Sequence, residues 1–141
     1  MSFKSTKQSY RVIKTYGNER GLSCAFRQWR ATSHCNLIHG YSLGFRITFE
    51  AQTLDDRKWV IDFGDLGFIK DFLEENFDHI LLVAEDDPRM EDLLNLDGIA
   101  EIRTLPVTGC EAFAEYVFQY VSQEVNEQSD GRVRLVSVEC F

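Results

Sequence analysis

The chain has 141 residues, of which 44% are hydrophobic, and a formal net charge of −8. This length and composition suit one globular domain, so we expect residues 1–141 to form a single domain. Its 23 acidic residues outnumber its 15 basic ones, and no run of Lys and Arg offsets the excess. Because such a surface repels phosphate backbones, we expect no nucleic-acid partner.

The four cysteines are widely spaced and form no CxxC pair: Cys24, Cys35, Cys110 and Cys140. The sequence also begins without an apolar signal segment, which together with this spacing predicts a reducing cytoplasm. No apolar run approaches the ~20 residues that span a bilayer. We therefore expect a soluble protein without a membrane partner.

Four segments have the patterns of strands. Ser9 to Tyr16 is rich in β-branched and aromatic residues, and Tyr41 to Ala51 alternates between apolar and polar side chains. His39 shares the phase of the apolar set, so we expect it to face the covered side of the sheet with Tyr41. A polar turn follows, and the sequence then predicts a third strand, paired with the second, in KWVID and a last strand in RVRLVSVECF.

Helical periodicity occurs in two places. GDLGFIKDFLEENF predicts a helix with Asp65 as its N-cap, and a second helix begins at TGCE, where Thr108 and Glu111 have the spacing of a capping box. Residues Glu85 to Asp97 are acidic and predict an exposed loop. The order β-β-β-α-loop-α-β indicates an α+β fold, with a four-stranded antiparallel sheet covered by two helices on one face.

Each of the three histidines lies beside another reactive group. His34 and His39 flank Cys35, and His79 follows Asp78. Because a thiol reacts as the thiolate, a neighbouring imidazole oriented by a carboxylate is the usual way to activate it. Cys35, His79 and Asp78 are predicted to compose such a relay if the fold brings them together. The alternative is that these are ordinary surface or structural side chains.

The remaining candidates have simpler alternatives. We expect Cys24, Cys110 and Cys140 to be small buried hydrophobic residues. Glu139 lies in an otherwise apolar C-terminal strand, where a carboxylate is costly to bury without a partner. It is therefore predicted either to accept paired hydrogen bonds from an N–H-rich heterocycle or to lie on the solvated face of the sheet.

Five segments together resemble the 6-pyruvoyltetrahydropterin and 6-carboxytetrahydropterin synthase family. They are, in chain order, CNLIHGY, WVIDFGDL, FDHILL, TGCEAFAEYVF and VSVEC. The resemblance implies a tunnelling fold (T-fold), in which the sheets of several subunits close into a barrel and two trimers form a homohexamer. It also implies active sites between subunits and a reduced pterin substrate, 7,8-dihydroneopterin triphosphate.

The resemblance assigns roles by position. Cys35 corresponds to the proton-transfer thiol, Asp78 and His79 to the assisting pair, and Glu139 to the residue that holds the pterin ring. Glu111 matches the glutamate of the P-T-x-E segment and is a further candidate for substrate binding. The implied reaction is that of a lyase in pterin or 7-deazaguanine (queuosine) metabolism, with the pyruvoyl or carboxy product left open.

The zinc site of the family is altered in this sequence. The resemblance implies three histidine ligands, but Phe26 and Tyr41 occupy two of those positions and only His39 remains. One protein imidazole falls short of the three protein ligands that a catalytic zinc site normally has. We therefore expect zinc to be absent or bound in an altered site.

Three alternatives follow for the activity. Chemistry could proceed without zinc, with Tyr41 or Arg27 donating hydrogen bonds to the substrate oxygens. A rearranged metal site could use His34 and His39 with Cys35 or His79. Otherwise the protein is a pterin- or purine-binding homologue that has lost catalysis. Arg27 and Arg30 in RQWR are also predicted either to bind the triphosphate or to be solvated loop residues.

Overall fold

The computed structural model describes residues 8–141. This part of the chain has seven strands and three α-helices. In chain order they are β1 (Tyr10–Tyr16), β2 (Leu22–Phe26), β3 (His39–Leu43), β4 (Phe45–Ala51), α1 (Gly67–Phe77), β5 (Ile80–Ala84), α2 (Met90–Leu94), β6 (Glu101–Leu105), α3 (Cys110–Gln128) and β7 (Val133–Cys140).

The first four strands form two antiparallel pairs that belong to different sheets. β1 pairs with β4 up to Tyr16 opposite Phe45, and β2 pairs with β3 from Leu22 opposite Leu43. A short 3₁₀ turn connects β1 to β2, and Gly44 separates β3 from β4. A β-carbon at Gly44 would lie 2.6 Å from the ring of Phe141, so a larger residue there would displace this terminal side chain.

The strands belong to two sheets, in the orders β1-β4-β7 and β3-β2-β5-β6. β4 pairs antiparallel with both β1 and β7, which confirms the first and last predicted strands. The strand predicted from Tyr41 to Ala51 is divided at Gly44 between β3 and β4, which belong to different sheets. The predicted strand in KWVID is wrong, because both edges of β4 are already occupied. This segment instead follows a turn in which Asp55 Oδ1 accepts the N–H groups of Arg57 and Trp59, each at 2.9 Å.

The second sheet contains strands that the sequence did not indicate. β5 pairs parallel with β2 and with β6, and every residue of β5 is buried. Such a strand is apolar on both faces and therefore lacks the alternation that predicts a half-buried strand. The segment from Glu85 to Asp97 is mostly exposed, as expected. It is not a loop throughout, because it contains α2 and buries Asp87 and Leu93.

The helices α1 and α3 pack against the strands in one apolar core. Ile69, Leu73 and Phe77 of α1 and Phe113, Val117 and Val121 of α3 belong to the same buried cluster as Phe45, Ile47 and Phe49 of β4. The two helices also contact each other, since the rings of Phe72 and Tyr120 stack with centroids 4.0 Å apart. The α+β fold is confirmed. None of the helices in residues 8–141 has the length and apolar character needed to cross a membrane.

Both predicted helix caps differ from the structure. Asp62, rather than Asp65, accepts a hydrogen bond from the Gly64 N–H at 2.8 Å, at the start of a 3₁₀ turn that leads into α1. At α3 the capping box is absent, because Gly109 precedes the helix at φ 130°. Thr108 lies outside the helix, and its hydroxyl donates to the carbonyl of Arg27 at 2.7 Å.

Replacement of Phe113 by alanine is expected to lower the free energy of unfolding by about 3–5 kcal/mol. Its ring is fully buried and makes edge contacts with Phe26 and Phe77, with centroids 5.0 and 5.4 Å apart. Urea unfolding followed by circular dichroism measures the loss. Glu115→Ala, at an exposed position of the same helix, is the control. A loss equal to that of the control would contradict the packing described.

One ion-pair network connects all three strands of the first sheet. Glu50 of β4 accepts hydrogen bonds from Arg11 of β1 at 2.6 Å and from Arg134 of β7 at 2.8 Å. Hydrogen bonds from Arg134 and Arg11 lower the pKa of the Glu50 carboxyl below its usual range. The charged form of Glu50 is therefore favoured by folding.

Glu50→Gln is expected to reduce stability at neutral pH and to have little effect in acid. Because the pKa of Glu50 is lowered in the folded state, its contribution is present above the ordinary glutamate pKa, about 4.3, and is lost as the pH falls through the lower folded value. Urea midpoints of both proteins across this range measure the effect. The difference between the urea midpoints of the wild type and Glu50→Gln should become smaller in acid. A difference that does not change with pH would show that the charge of Glu50 is not its cause. Glu115→Gln is the control.

Candidate functional site

Cys35 lies on an exposed turn beyond the end of β2. It is the middle residue of a 3₁₀ helix, His34–Asn36, and Ser33 Oγ accepts the Cys35 N–H at 3.4 Å. The Cys35 carbonyl accepts the N–H of Gln28 at 2.9 Å, which closes the loop between β2 and the turn. The thiol is therefore held near the surface by backbone contacts.

Two aspartates fix the start of the same loop. Asp86 accepts hydrogen bonds from Trp29 Nε1 at 3.0 Å and from Arg30 Nη2 at 2.6 Å. The fully buried side chain of Asp87 lies 3.2 Å from Arg27 Nε. The charges of both arginines are thus compensated within the chain, which weakens the prediction that they bind a triphosphate.

The three positions that correspond to zinc ligands in the resemblance lie together. Phe26 pairs with His39 across β2 and β3, and Tyr41 lies two residues further along β3. Ring centroids are 5.1 Å apart for Phe26 and His39, 5.2 Å for Phe26 and Tyr41, and 5.4 Å for His39 and Tyr41. We call these three residues the aromatic trio.

The aromatic trio does not have the ligands of a zinc site. Phe26 has no donor atom, and Tyr41 offers only a phenol oxygen rather than the usual imidazole, thiolate or carboxylate. Within residues 8–141, no three His, Cys, Asp or Glu side chains are grouped so that they could hold one metal ion. The rearranged site built on His34, His39 and Cys35 is therefore not formed in the described chain.

His39 has a defined orientation. Its Nδ1 lies 2.8 Å from the carbonyl oxygen of Leu37, an acceptor that requires the proton to reside on Nδ1. The neutral imidazole consequently presents the lone pair of Nε2. His39 is half-buried, whereas the side chain of Tyr41 is exposed.

Asp78 and His79 form a preassembled pair at the turn between α1 and β5. His79 Nδ1 lies 2.7 Å from Asp78 Oδ1, and the imidazole is 83% exposed. His79 has φ 60°, in the left-handed region that few residues other than glycine adopt. Its backbone N–H donates to the carbonyl of Ser23, which holds this turn against β2.

The two glutamates predicted to bind substrate are both exposed in the single chain. Glu139 lies on the solvated face of β7, and Arg46 Nη1 is 3.8 Å from its carboxylate across the pairing with β4. Glu111 is in the first turn of α3. Within one chain, Glu139 therefore lies on the solvated face of the sheet, which is one of the two alternatives that the sequence left open.

The predicted catalytic residues are held near opposite ends of β2. The Asp78–His79 pair contacts β2 at Ser23, whereas Cys35 is bonded to Gln28 beyond the other end of that strand. Five extended residues span on the order of 16 Å. Cys35 and the Asp78–His79 pair therefore have separate backbone anchors within one chain.

The other three thiols differ from Cys35 in burial. Cys24 is buried, and Cys110 and Cys140 are half-buried against the same apolar core. Burial raises the pKa of Cys24 to about 12 and also raises that of Cys140. The thiolates of Cys24 and Cys140 are therefore disfavoured at neutral pH, as expected for small hydrophobic residues. Cys35 is the exposed thiol among the four.

Sequence reasoning missed Asp86, Asp87 and Thr108 as residues that hold the loop carrying Cys35. The acidic pair and the arginines of RQWR have opposite charges, and this complementarity was the available signal. It could not identify partners separated by more than fifty positions along the chain. The sequence pattern around Thr108 matched a helix cap. It did not indicate the long-range hydrogen bond from the Thr108 hydroxyl to the Arg27 carbonyl.

Comparison with known proteins agrees with this geometry. The family model described as 6-pyruvoyl tetrahydropterin synthase matches residues 17–141. The 6-carboxy-5,6,7,8-tetrahydropterin synthase of Aquifex aeolicus is 25% identical over 141 residues, which cover 96% of this chain and 85% of that protein.

Solved structures share the fold. An uncharacterized protein from Wolinella succinogenes superposes with a TM-score of 0.80 at 18% identity, covering 95% of this chain and 93% of that one. The 6-pyruvoyl tetrahydropterin synthase of Plasmodium falciparum gives a TM-score of 0.64 at 15% identity, with 94% and 89% covered. The fold is the T-fold, and the chain belongs to the 6-pyruvoyl tetrahydropterin synthase family.

Proposed function

We propose that this protein binds a reduced pterin and catalyses proton transfer on its side chain, as a lyase of the tetrahydropterin synthase type. The substrate proposed is 7,8-dihydroneopterin triphosphate or a related reduced pterin. The observation that carries the proposal is the Asp78–His79 pair, which is exposed and joined by a 2.7 Å contact. An exposed carboxylate–imidazole pair is suited to exchanging protons with a bound molecule.

The pair has a defined direction for proton transfer. The Asp78 carboxylate beside Nδ1 of His79 favours the tautomer with the proton on that nitrogen. Nε2 is then left to accept a proton from a hydroxyl group of the substrate side chain and to return it. Asp78 stabilises the imidazolium that forms, so its role is electrostatic and orienting.

Cys35 is the proposed proton-transfer thiol. Its exposure distinguishes it from Cys24, which is buried, and from the two half-buried thiols. The backbone bonds to Ser33 and Gln28 hold its turn in place. A thiolate in this position would take a proton from a side-chain carbon of the pterin, while the imidazole acts on the neighbouring oxygen.

The separation of Cys35 from His79 within one chain supports a site between subunits. In the described chain, β1 and β7 are the edges of one sheet, and β3 and β6 are the edges of the other. Exposed strand edges favour pairing with another chain. We therefore propose a cytoplasmic homo-oligomer, with two trimers forming a hexamer, in which Cys35 and the Asp78–His79 pair of different chains face one ligand.

Glu139 is proposed to hold the pterin ring. Its carboxylate is exposed and has Arg46 as a neighbour at 3.8 Å, a distance beyond that of a strong hydrogen bond. The carboxylate can therefore accept paired N–H groups from the 2-amino-pyrimidinone edge of a pterin. Such charge-assisted bidentate contacts combine affinity with a defined orientation.

A second candidate function is pterin or purine binding without catalysis. The aromatic trio favours it, because the positions of two zinc ligands are occupied by Phe26 and Tyr41. Incubation with 7,8-dihydroneopterin triphosphate, followed by chromatography of the products, separates the two functions. Turnover supports the enzyme, whereas binding without turnover supports the binding protein.

Mixed oligomers test whether the site is shared. Cys35→Ala and His79→Ala are each expected to abolish activity alone. When the two variants are co-expressed in equal amounts, about a quarter of the wild-type activity should return, since half of the chains supply each intact part of a two-chain site. Product formation from 7,8-dihydroneopterin triphosphate is the readout.

The control for this experiment mixes Cys35→Ala with Cys35→Ser, which restores no intact site. Recovery in the first mixture alone indicates that the two residues act from different chains. If either single variant keeps full activity, that residue does not take part in proton transfer. Absence of recovery from stable mixed oligomers would contradict the shared site.

Glu139→Gln is expected to weaken pterin binding by more than about 1 kcal/mol, because it replaces a charge-assisted hydrogen bond by a neutral one. Isothermal titration with 7,8-dihydroneopterin measures the change. Glu101→Gln, at an exposed position of β6, is the matched control and should bind as the wild type does. Equal affinity of all three proteins would place Glu139 outside the binding site.

A further inference from the structure

We propose that the aromatic trio is a metal-free hydrogen-bonding site for the side-chain oxygens of the ligand. In this site the hydroxyl group of Tyr41 donates and Nε2 of His39 accepts. The inference rests on the proposed function and deepens it, since it states how a member of this family handles those oxygens without zinc. It also predicts that the backbone geometry for a zinc site is retained.

The chemistry of the aromatic trio supports a site without metal. Phe26 is 1% exposed, and its ring makes an edge contact with Phe113 at 5.0 Å between centroids. This position is therefore part of the apolar core and supplies no ligand atom. His39 alone remains as an ordinary zinc ligand, and a single imidazole does not compensate the dehydration of the ion.

The polar atoms of the trio complement an oxygen-bearing side chain. The contact with the Leu37 carbonyl, at 2.8 Å, fixes the proton of His39 on Nδ1 and leaves Nε2 as an acceptor. Tyr41 is 42% exposed, so its hydroxyl can reach a ligand and donate to it. A ligand hydroxyl group can accept from Tyr41 and donate to His39, whose ring centroids are 5.4 Å apart, so it suits this donor and acceptor.

The positions of the aromatic trio support the inference that the backbone geometry for a zinc site is retained. Three imidazoles around one tetrahedral zinc ion, with Zn–N about 2.1 Å, have ring centroids about 5.2 Å apart. The observed separations of 5.1, 5.2 and 5.4 Å agree with this value, and they also lie in the range of about 4.5–7 Å found for packed aromatic rings in general. The inference therefore rests on the pairing of β2 with β3, which places positions 26, 39 and 41 together, and the histidine variants test it.

Zinc measurements on the purified protein test both the metal-free site and the retained backbone geometry. Mass spectrometry of the metal content, after dialysis against a weak chelator, should find far less than one zinc per chain in the wild type. The double variant Phe26→His/Tyr41→His should bind Zn²⁺ more than about 100-fold tighter than the wild type, in competition titrations with a chromophoric chelator. Substitution by Co²⁺ should then give the intense visible absorption of a tetrahedral site.

The single variant Tyr41→His keeps the test decisive if the double variant does not fold, because residue 41 is exposed. It should bind Zn²⁺ about tenfold tighter than the wild type. Stoichiometric zinc in the wild type that is lost in His39→Ala would overturn the proposal. Folded histidine variants that bind zinc no better than the wild type would overturn the claim that the geometry is retained.

A pair of ligands tests the role of Tyr41. Tyr41→Phe is expected to weaken binding of 7,8-dihydroneopterin, which has side-chain hydroxyl groups, by about fivefold or more. Binding of 7,8-dihydropterin, which lacks the side chain, should not change. Equal weakening of both would overturn the role given to Tyr41. Failure of the wild type to bind either compound would refute the proposed function, whereas the zinc titrations would still decide the metal-free site.

Discussion

The pairing of β2 with β3 is the constraint on which the candidate site depends. Its register places Phe26 opposite His39 and Cys24 opposite Tyr41, and a slip of one residue would turn each side chain to the other face. Leu22, Phe26 and Leu43 of this pair are buried in the same core as Phe45, Ile47 and Phe49 of β4. Because the packing of that core fixes the register, the aromatic trio is held in place by the most strongly buried part of the molecule.

Short-range patterns predicted those elements whose burial is decided locally. The alternation from Phe45 to Ala51 and the stripe that includes Phe113 and Val117 each correspond to one covered face. The same alternation did not indicate that the segment from Tyr41 is divided at Gly44. KWVID also had a strand pattern, but β1 and β7 occupy both edges of β4. The buried strand Ile80–Ala84 escaped notice because it has no polar face. Which segment occupies a strand edge, and whether a strand is buried on both faces, depend on the whole fold. Hydrophobic periodicity along the sequence reports neither property.

The candidate site was predictable in its residues and much less so in its arrangement. Asp78 and His79 contact each other, and their adjacency in the sequence made this pair easy to propose. The exposure of the Cys35 thiol was not predicted. The buried contact of Arg27 with Asp87 joins segments far apart in the chain, and a single sequence gave no means to identify it. Family resemblance supplied the positions of the trio, and the strand register explains why they meet.

The central claim is that Cys35 of one chain and His79 of another act on the same pterin. A crystal structure of the assembled protein with bound 7,8-dihydroneopterin tests it most directly. The account predicts one pterin at each interface between chains, with the ring on Glu139, its side chain beside the aromatic trio, and Cys35 and His79 contributed by different chains. A pterin bound entirely within one chain, away from these residues, would contradict it.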